Sequence, residues 1–284
     1  MKTAIVGLGL IGGSFALSLR DNGLSKDIIG ADHSRKNAET ALKMELINRI
    51  TTLDGALDYA DLIILAVPVN AIPILAVKLL NKIKPLQVVM DMGSTKQELC
   101  ETIAMHPNRN RFVATHPMWG TENSGPEAAV QNAFKGRTAV ICNAEQSDKD
   151  AVLLAEHIYR TIGMPIRYME AEEHDIHAAY VSHMSHISSF ALALTVLEKE
   201  RETSHIFDLA GGGFESTARL AKSSWEMWLP IFLQNKHNVL DVLREYIHQL
   251  QVFKKMLERE DSEGLQAAMQ KANTIRAILE KKQA

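Results

Sequence analysis

Gly7-Leu8-Gly9-Leu10-Ile11-Gly12 is the stretch that decides the fold of this 284-residue chain. It has the spacing G-x-G-x-x-G, and it stands between an apolar run over residues 2–6 and a helical pattern over residues 11–22. The spacing alone is weak evidence, but a strand before it and a helix after it are the context of a dinucleotide-binding βαβ unit. In such a unit the first glycine permits a tight turn, the second lets the backbone approach a pyrophosphate, and the third allows close packing of helix and strand.

An acidic residue follows the glycine loop at the distance that a dinucleotide site needs. Asp32 stands 20 residues after Gly12, at the end of the next apolar run. A carboxylate there accepts hydrogen bonds from the adenosine ribose and repels a 2′-phosphate, so we expect NAD rather than NADP, with some tolerance left by Arg35. The alternative is that Asp32 only caps the next helix, a position that Ser34 can also fill. The residues expected to contact the cofactor are Gly7, Gly9, Leu10, Ile11, Gly12, Asp32, Val67, Pro68 and Ser94.

The chain has two halves with different patterns. Apolar runs that predict strands cover residues 2–6, 27–31, 62–67, 87–90, 112–115, 138–142 and 165–168, and helical patterns cover 11–22, 35–44, 72–80 and 148–161. This alternation predicts a doubly wound α/β domain. After Glu170 we find no strand pattern, and apolar residues between 239 and 257 recur at three and four, which predicts a long amphipathic helix that needs a partner surface. We therefore expect a Rossmann-type domain over residues 1–169 and an all-α substrate-binding and dimerisation domain over residues 170–284.

Composition excludes several classes of protein. The net charge is -3, which lacks the basic excess of a nucleic-acid binder. Glycines interrupt the N-terminal apolar run, so it does not resemble a signal peptide, and no other stretch has the ~18 uninterrupted apolar residues of a membrane span. Cys100 and Cys142 form no C-x-x-C motif, which favours a reducing, cytoplasmic location.

Two segments that follow predicted strands carry candidate chemistry. Ser94 lies in the loop after residues 87–90, at the edge of the sheet where ligands bind. His116 ends the strand over residues 112–115 and leads into a loop rich in glycine and proline, a position that suits a general base. The alternatives are an N-cap for Ser94 and a structural role for His116.

The helical half adds histidines and an arginine. His174, His177, His183 and His186 lie close together in sequence. A zinc site lacks the H-E-x-x-H spacing, so we expect no metal and favour a polar wall around an anion. Arg219 follows three glycines, and its planar guanidinium suits a carboxylate. A surface salt bridge is the alternative. Trp225 and Trp228 fit either a core or the wall of an aromatic site.

These segments together resemble the prephenate/arogenate dehydrogenase family over nearly the whole chain. The residues that carry the resemblance are the glycine loop, Gly93-Ser94-x-Lys96, His116-Pro117-Met118-x-Gly120-Thr121-Glu122-x-Ser124-Gly125, His174-Asp175 with Ser182-His183-x-x-His186, Gly211-Gly212-Gly213-Phe214, and Arg219 with Met227-Trp228. The resemblance implies NAD-dependent oxidative decarboxylation of prephenate to 4-hydroxyphenylpyruvate, on the route to tyrosine. It also implies a homodimer built through the helical domain.

The same resemblance implies a role for each site residue. His116 would accept a hydrogen bond from the ring hydroxyl, and Ser94 would orient both. His186 and Arg219 would face a substrate carboxylate, while His183, Thr121 and Trp228 would complete the pocket. Departures from the common pattern stand at Trp119, Met184-Ser185 and Ser224-Trp225, so arogenate stays open as the substrate.

Two rival interpretations remain. A β-hydroxyacid dehydrogenase resembles this layout but carries a G-x-x-G-x-G-x-x-x-K run, which this sequence lacks. A non-catalytic NAD-sensing regulator would keep the glycine loop without needing His116, His186 and Arg219 together.

Overall fold

The fold is that of a computed structural model, which describes residues 1–281. Its strands are β1 (Lys2–Val6), β2 (Asp27–Ala31), β3 (Arg49–Ile50), β4 (Leu62–Leu65), β5 (Val88–Asp91), β6 (Phe112–Pro117), β7 (Ala139–Cys142) and β8 (Ile166–Met169). Its helices are α1 (Leu10–Asp21), α2 (Arg35–Lys43), α3 (Leu53–Tyr59), α4 (Ile72–Leu80), α5 (Gln97–Ile103), α6 (Lys149–Thr161), α7 (Ala171–Ala178), α8 (Met184–Glu202), α9 (Gly212–Ala218), α10 (Trp225–Gln234), α11 (Lys236–Glu258), α12 (Ser262–Asn273) and α13 (Ile275–Lys281). A π-helical turn, Ala179–His183, joins α7 to α8.

One eight-stranded sheet organises the first half, in the order β3-β2-β1-β4-β5-β6-β7-β8. Neighbouring strands are parallel except for β6 and β7, which are antiparallel. The strand order reverses between β1 and β4, and in open α/β sheets a ligand crevice lies at such a point, beyond the carboxyl ends of the strands. The Rossmann-type fold is therefore confirmed, and the glycine loop lies at this reversal.

Apolar side chains bury both faces of the sheet. Along β1, Ile5 belongs to one buried cluster while Ala4 and Val6 belong to the other, as the alternation of a strand requires. On the first face, Phe15 of α1 packs edge-on against Phe134 and Tyr159. Burying a side chain of this size contributes roughly 1.5–3 kcal/mol, so the sheet is a rigid platform for the loops at its edge.

The described residues divide into two compact units, 1–236 and 237–281. The first contains the whole sheet and the helices through α10. The second contains most of α11 together with α12, where the Asp261 carboxylate accepts a hydrogen bond of 2.8 Å from the amide of Gly264 at the helix start. The domain boundary predicted at residues 169 and 170 stays a prediction.

Most predicted elements have their expected bounds within one or two residues. The long helix predicted around residues 239–257 is α11, and Ser34 caps α2 by accepting a bond from the amide of Asn37. The N-cap alternative for Ser94 is wrong, because α5 begins at Gln97 with Lys96 as its N-cap. Trp225 is exposed rather than in the core, whereas Trp228 is buried. Within residues 1–281, no helix is both long and apolar enough to cross a membrane.

Candidate active site

The glycine loop has the local geometry of a dinucleotide cradle. Gly7 has φ +96°, and a Cβ there would lie 2.3 Å from the Ala66 carbonyl oxygen. A Cβ at Gly12 would lie 1.9 Å from the Gly7 oxygen, so side chains are excluded at both positions. A Cβ at Gly9 would meet nothing within 4 Å, which leaves open space beside the N-terminus of α1. No side chain of the described residues caps that helix, so its first-turn amides suit a pyrophosphate, and these residues fit NAD.

Asp32 is fixed beside the same loop. Its carboxylate accepts hydrogen bonds of 2.8 Å from the amides of Leu8 and Ser34. The interpretation of Asp32 as the cap of α2 is wrong, since Ser34 holds that position. Each carboxylate oxygen keeps a lone pair for a ribose hydroxyl. Arg35, by contrast, pairs with Glu39 at 2.7 Å on the exposed surface.

His116 lies at the end of β6 in a buried chain of hydrogen bonds. Its Nδ1 lies 2.8 Å from Nε2 of His174, and Nδ1 of His174 lies 2.8 Å from Oδ1 of Asp175. Among the described residues no hydrogen bond reaches Nε2 of His116, so that nitrogen is available to a ligand. The sequence did not reveal this pairing, because His116 and His174 stand 58 positions apart.

Burial sets the protonation of the histidines near His116. The pKa of His116 lies well below its usual 6.5, mainly because of burial and further because of electrostatic interaction with His174, Lys96 and His183. Burial also lowers the pKa of His183 to about 4, against a smaller opposing effect of Asp175. Both imidazoles are therefore neutral at pH 7, and a neutral imidazole can accept a proton.

A buried ion pair holds the loop that carries Ser94. The Lys96 ammonium contacts Asp91, and both side chains are fully buried. Asp91 also accepts bonds from the amides of Gly93, at 2.8 Å, and Thr115, at 3.0 Å. Breaking such a pair leaves an uncompensated buried charge, so the loop is strongly fixed. The structure shows no hydrogen bond between Ser94 and His116 in residues 1–281, and the orienting role of Ser94 stays a prediction.

Trp228 brings His183 and His186 together. His186 stacks on the Trp228 ring with centroids 3.4 Å apart, and His183 meets the same ring edge-on at 5.9 Å. The buried Nε2 of His183 and Nε1 of Trp228 have no hydrogen-bond partner among the described residues, so a polar ligand could bind them. Nδ1 of His186 bonds to the Ser182 carbonyl at 3.1 Å. His186 must therefore be protonated before Nε2 can donate to a carboxylate, although burial lowers its pKa.

Arg219 forms the salt bridge that the sequence left as an alternative. Its guanidinium donates to the Glu122 carboxylate at 2.6 Å, and about half of the Arg219 side chain is exposed. The charge of Arg219 also lowers the pKa of His186, which indicates that the two side chains lie near each other. Thr121, next to Glu122, accepts a bond of 3.2 Å from the Asn123 amide. Substrate binding by Arg219 and Thr121 stays a prediction.

Family models match both parts of the chain. The model described as prephenate dehydrogenase, nucleotide-binding domain, matches residues 15–168, and the model described as prephenate dehydrogenase, dimerization domain, matches residues 170–271. A prephenate dehydrogenase of Bacillus subtilis is 33% identical over 93% of this chain and 73% of that protein. A cyclohexadienyl dehydrogenase of Zymomonas mobilis is 28% identical over 97% of this chain and 95% of that protein.

Solved structures show the same similarity. The crystal structure of prephenate dehydrogenase from Aquifex aeolicus, in complex with hydroxyphenyl propionate and NAD+, has a TM-score of 0.88 and 30% identity, covering 98% of each chain. An arogenate dehydrogenase from Synechocystis has a TM-score of 0.77 and 25% identity, covering 98% of this chain and 100% of its own.

Proposed function

Because this chain belongs to the prephenate dehydrogenase family, we propose that it uses NAD+ to convert prephenate into 4-hydroxyphenylpyruvate and CO2. The family makes the chain a dehydrogenase with a nucleotide-binding domain. The observation that carries the choice of reaction is His116, a buried neutral imidazole whose Nδ1 is engaged while no hydrogen bond from residues 1–281 reaches its Nε2. The cytoplasmic location expected from the sequence stays a prediction.

His116 performs the proton step of the proposed reaction. Nε2 accepts the proton of the ring hydroxyl while hydride leaves the carbon that carries this hydroxyl. Bound NAD+ supplies the hydride acceptor. Loss of CO2 then makes the ring aromatic, and His116 returns the proton to the ring oxygen, so the base ends the cycle as it began. A base positioned in this way contributes about 10²–10⁴-fold to rate.

The second end of the site binds the charged groups of the substrate in this proposal. Arg219 holds a carboxylate in this proposal, and His186, which stacks on the buried ring of Trp228, faces the same carboxylate. Thr121 and His183 offer a hydroxyl and a ring nitrogen. Ser94 orients the ring hydroxyl, and Val67 and Pro68 follow β4 at the cofactor crevice. The backbone of Leu10 and Ile11 faces the phosphates from the first turn of α1.

An assay with two substrates tests the proposed function. The purified protein is mixed with NAD+ and either prephenate or arogenate, and NADH is followed by its near-ultraviolet absorbance. We expect NADH with prephenate. Turnover with arogenate alone would make the chain an arogenate dehydrogenase, the activity named for the Synechocystis relative. Binding of NAD+ without turnover of either compound would support the sensing regulator instead.

Asp32 predicts the choice of cofactor. We expect kcat/KM to be higher with NAD+ than with NADP+, because the carboxylate repels a 2′-phosphate. Asp32→Asn removes that charge and should narrow the difference in kcat/KM between NAD+ and NADP+. Lys36→Gln in α2 is a nearby surface change that should leave the preference as it is. A preference of the native protein for NADP+ would show that Asp32 does not discriminate against the 2′-phosphate.

The second compact unit supports assembly into a homodimer. In α11 the apolar side chains of Ile247, Leu250 and Leu257 are exposed to water, and exposed apolar patches mark interaction surfaces. The matching family model is described as a dimerization domain. We expect sedimentation to show twice the 31.5 kDa chain mass at micromolar concentration. A monomer under those conditions would contradict the proposal, and Leu250→Lys should weaken the dimer.

A further inference from the structure

We propose that His174 and Asp175 are positioning residues that fix the tautomer of His116 and so keep its Nε2 unprotonated for the substrate. The proposal rests on the proposed function of His116, which it extends to two residues with no role assigned so far. The three side chains are 8%, 2% and 2% exposed. The two hydrogen bonds that join them are both 2.8 Å long.

The donors and acceptors in this series of hydrogen bonds allow only one placement of the ring hydrogens when both imidazoles are neutral. The Asp175 carboxylate can only accept, so Nδ1 of His174 carries a hydrogen and donates it. A neutral His174 then has a bare Nε2, which accepts from Nδ1 of His116. A neutral His116 with hydrogen on Nδ1 has its lone pair on Nε2. The Asp175 carboxylate thus determines which nitrogen of His116 is basic.

Asp175 is anchored independently of the histidines. Its carboxylate accepts from the amides of Lys96, at 2.8 Å, and Gln97, at 2.9 Å, at the start of α5. Its carbonyl accepts from the side-chain amide of Asn235 at 2.7 Å. The first two bonds fix the carboxylate and the third fixes the backbone of the same residue, so Asp175 can fix His174, and His174 can fix His116.

The same hydrogen bonds stabilise the imidazolium cation that His116 becomes during the reaction. When Nε2 of His116 takes a proton, the imidazolium still donates from Nδ1 to His174. His174 transmits the stabilising effect of the Asp175 charge through its own hydrogen bond. In serine-protease triads an orienting carboxylate acts in this way, and replacing it by an amide lowers kcat by about 10⁴ because the tautomer is wrong.

Other titratable groups act on His116 and have to be considered in any pH measurement. Burial is the largest cause of its low pKa, followed by electrostatic interaction with His174 from α7, with Lys96 before α5 and with His183 in the π-helical turn. Lys96 is already paired with Asp91. The acid limb of a pH–rate profile therefore reports His116 together with the groups that interact with it.

Nitrogen NMR of the histidine rings tests the tautomer without any turnover. Protein labelled with ¹⁵N-histidine is measured at neutral pH, and the His116 signals are assigned with His116→Asn. We expect a neutral His116 with hydrogen on Nδ1 and a bare Nε2. Hydrogen on Nε2 would overturn the proposal. This readout remains valid if neither prephenate nor arogenate is turned over, so failure of the proposed function and failure of this inference are distinguishable.

Kinetics of two His174 variants separate positioning from packing. His174→Gln keeps an oxygen acceptor for Nδ1 of His116, whereas His174→Phe keeps a ring but no acceptor. We expect kcat to fall about 10²–10³-fold in the Phe variant, within the range for loss of a base, and to recover partly in the Gln variant, with KM nearly constant in both. Equal losses in the two variants, or a loss only in KM, would contradict the proposal.

Asp175→Asn supplies the pH readout. An amide has one acceptor oxygen and cannot serve all the donors that meet the carboxylate, so kcat should fall. Loss of the negative charge destabilises the imidazolium, so the acid limb should move to lower pH. The matched control is Asp208→Asn in the exposed His205–Asp208 pair, which is 2.9 Å long and should change neither quantity. An acid limb that stays in place in Asp175→Asn would reduce Asp175 to a structural residue.

Discussion

The two ends of the active site are held together in different ways. At one end His116, His174 and Asp175 are buried and joined by two 2.8 Å hydrogen bonds. At the other end Arg219 and Glu122 form an ion pair whose side chains are 49% and 23% exposed. The first arrangement is closed to water, whereas the second is open to exchange with it.

This difference matches two different tasks. Proton transfer needs a fixed tautomer and a low dielectric, so its groups lie inside the protein. Recognition of an anion needs a cation that can exchange one carboxylate for another. An exposed ion pair contributes only about 0–1 kcal/mol, so a substrate carboxylate can replace Glu122 at Arg219 at little cost. We infer that the buried end sets kcat and the exposed end sets KM.

His116→Asn should have the largest effect among the tests of the inference that the buried end sets kcat and the exposed end sets KM. We expect kcat to fall by about 10²–10⁴-fold because the general base is lost. NAD+ affinity, measured by titration calorimetry, should stay close to native because the glycine loop is untouched. His157→Asn is the matched control, since that side chain is exposed on α6. If the variant keeps more than about a tenth of native kcat, His116 is not the base, and His183 or His186 would be tested next.

The sequence was most informative where local geometry decides the structure. The strand that ends before Gly7 and the helix that follows it are both where the spacing predicts them, because a tight turn and close packing require glycine there. Strand β3 was missed because Arg49–Ile50 is short and exposed, with no apolar pattern. The π-helical turn Ala179–His183 was also missed, since the sequence around it continues a helical pattern.

The sequence was least informative about partners that are distant along the chain. It singled out His116 and Arg219, but it did not pair them with His174 and Glu122, which are 58 and 97 positions away. The signal for the first pair was present in His174-Asp175, an imidazole beside a carboxylate. Only the placement of α7 against the sheet shows that this imidazole meets His116.

The second test addresses the exposed end. Arg219→Ala should raise KM for prephenate by about 10–100-fold, because a hydrogen bond to a charged group contributes ~1.5–3 kcal/mol. Arg219→Lys should raise KM for prephenate less than Arg219→Ala does, since lysine keeps the charge but loses the planar guanidinium. Steady-state kinetics would show kcat nearly unchanged in both. A fall in kcat at constant KM would break the division between the two ends.

The third test uses the pH dependence of stability at His183, the buried histidine that lies against Trp228. His183 has a folded-state pKa of about 4 against an ordinary 6.5, so below pH 6.5 the unfolded chain takes up a proton that the folded chain excludes. The free energy of unfolding should therefore fall between pH 6.5 and pH 4, with about 2 kcal/mol lost to this group by pH 5. Burial of His116 acts in the same direction.

His183→Asn isolates that contribution. The Asn oxygen can accept from Asn235 in place of Nδ1, which accepts at 3.1 Å in the native protein. Denaturant unfolding at pH 7 and pH 5 should show a smaller difference in the variant than in the native protein. His157→Gln, at an exposed position of α6, should leave the native difference intact. An unchanged pH dependence in His183→Asn would show that His183 is not buried as a neutral ring.

The smallest effect is expected from Glu122→Gln. Because the Arg219–Glu122 pair is partly exposed, its loss should lower stability by less than about 1 kcal/mol. Arg219 would then lack its competing carboxylate, so KM for prephenate should fall slightly or stay constant, and kcat should not change. Steady-state kinetics and thermal unfolding of Glu122→Gln beside Arg219→Ala would decide the point. If Glu122→Gln raises KM as much as Arg219→Ala does, the ion pair itself shapes the site, and Arg219 does not exchange Glu122 for the substrate.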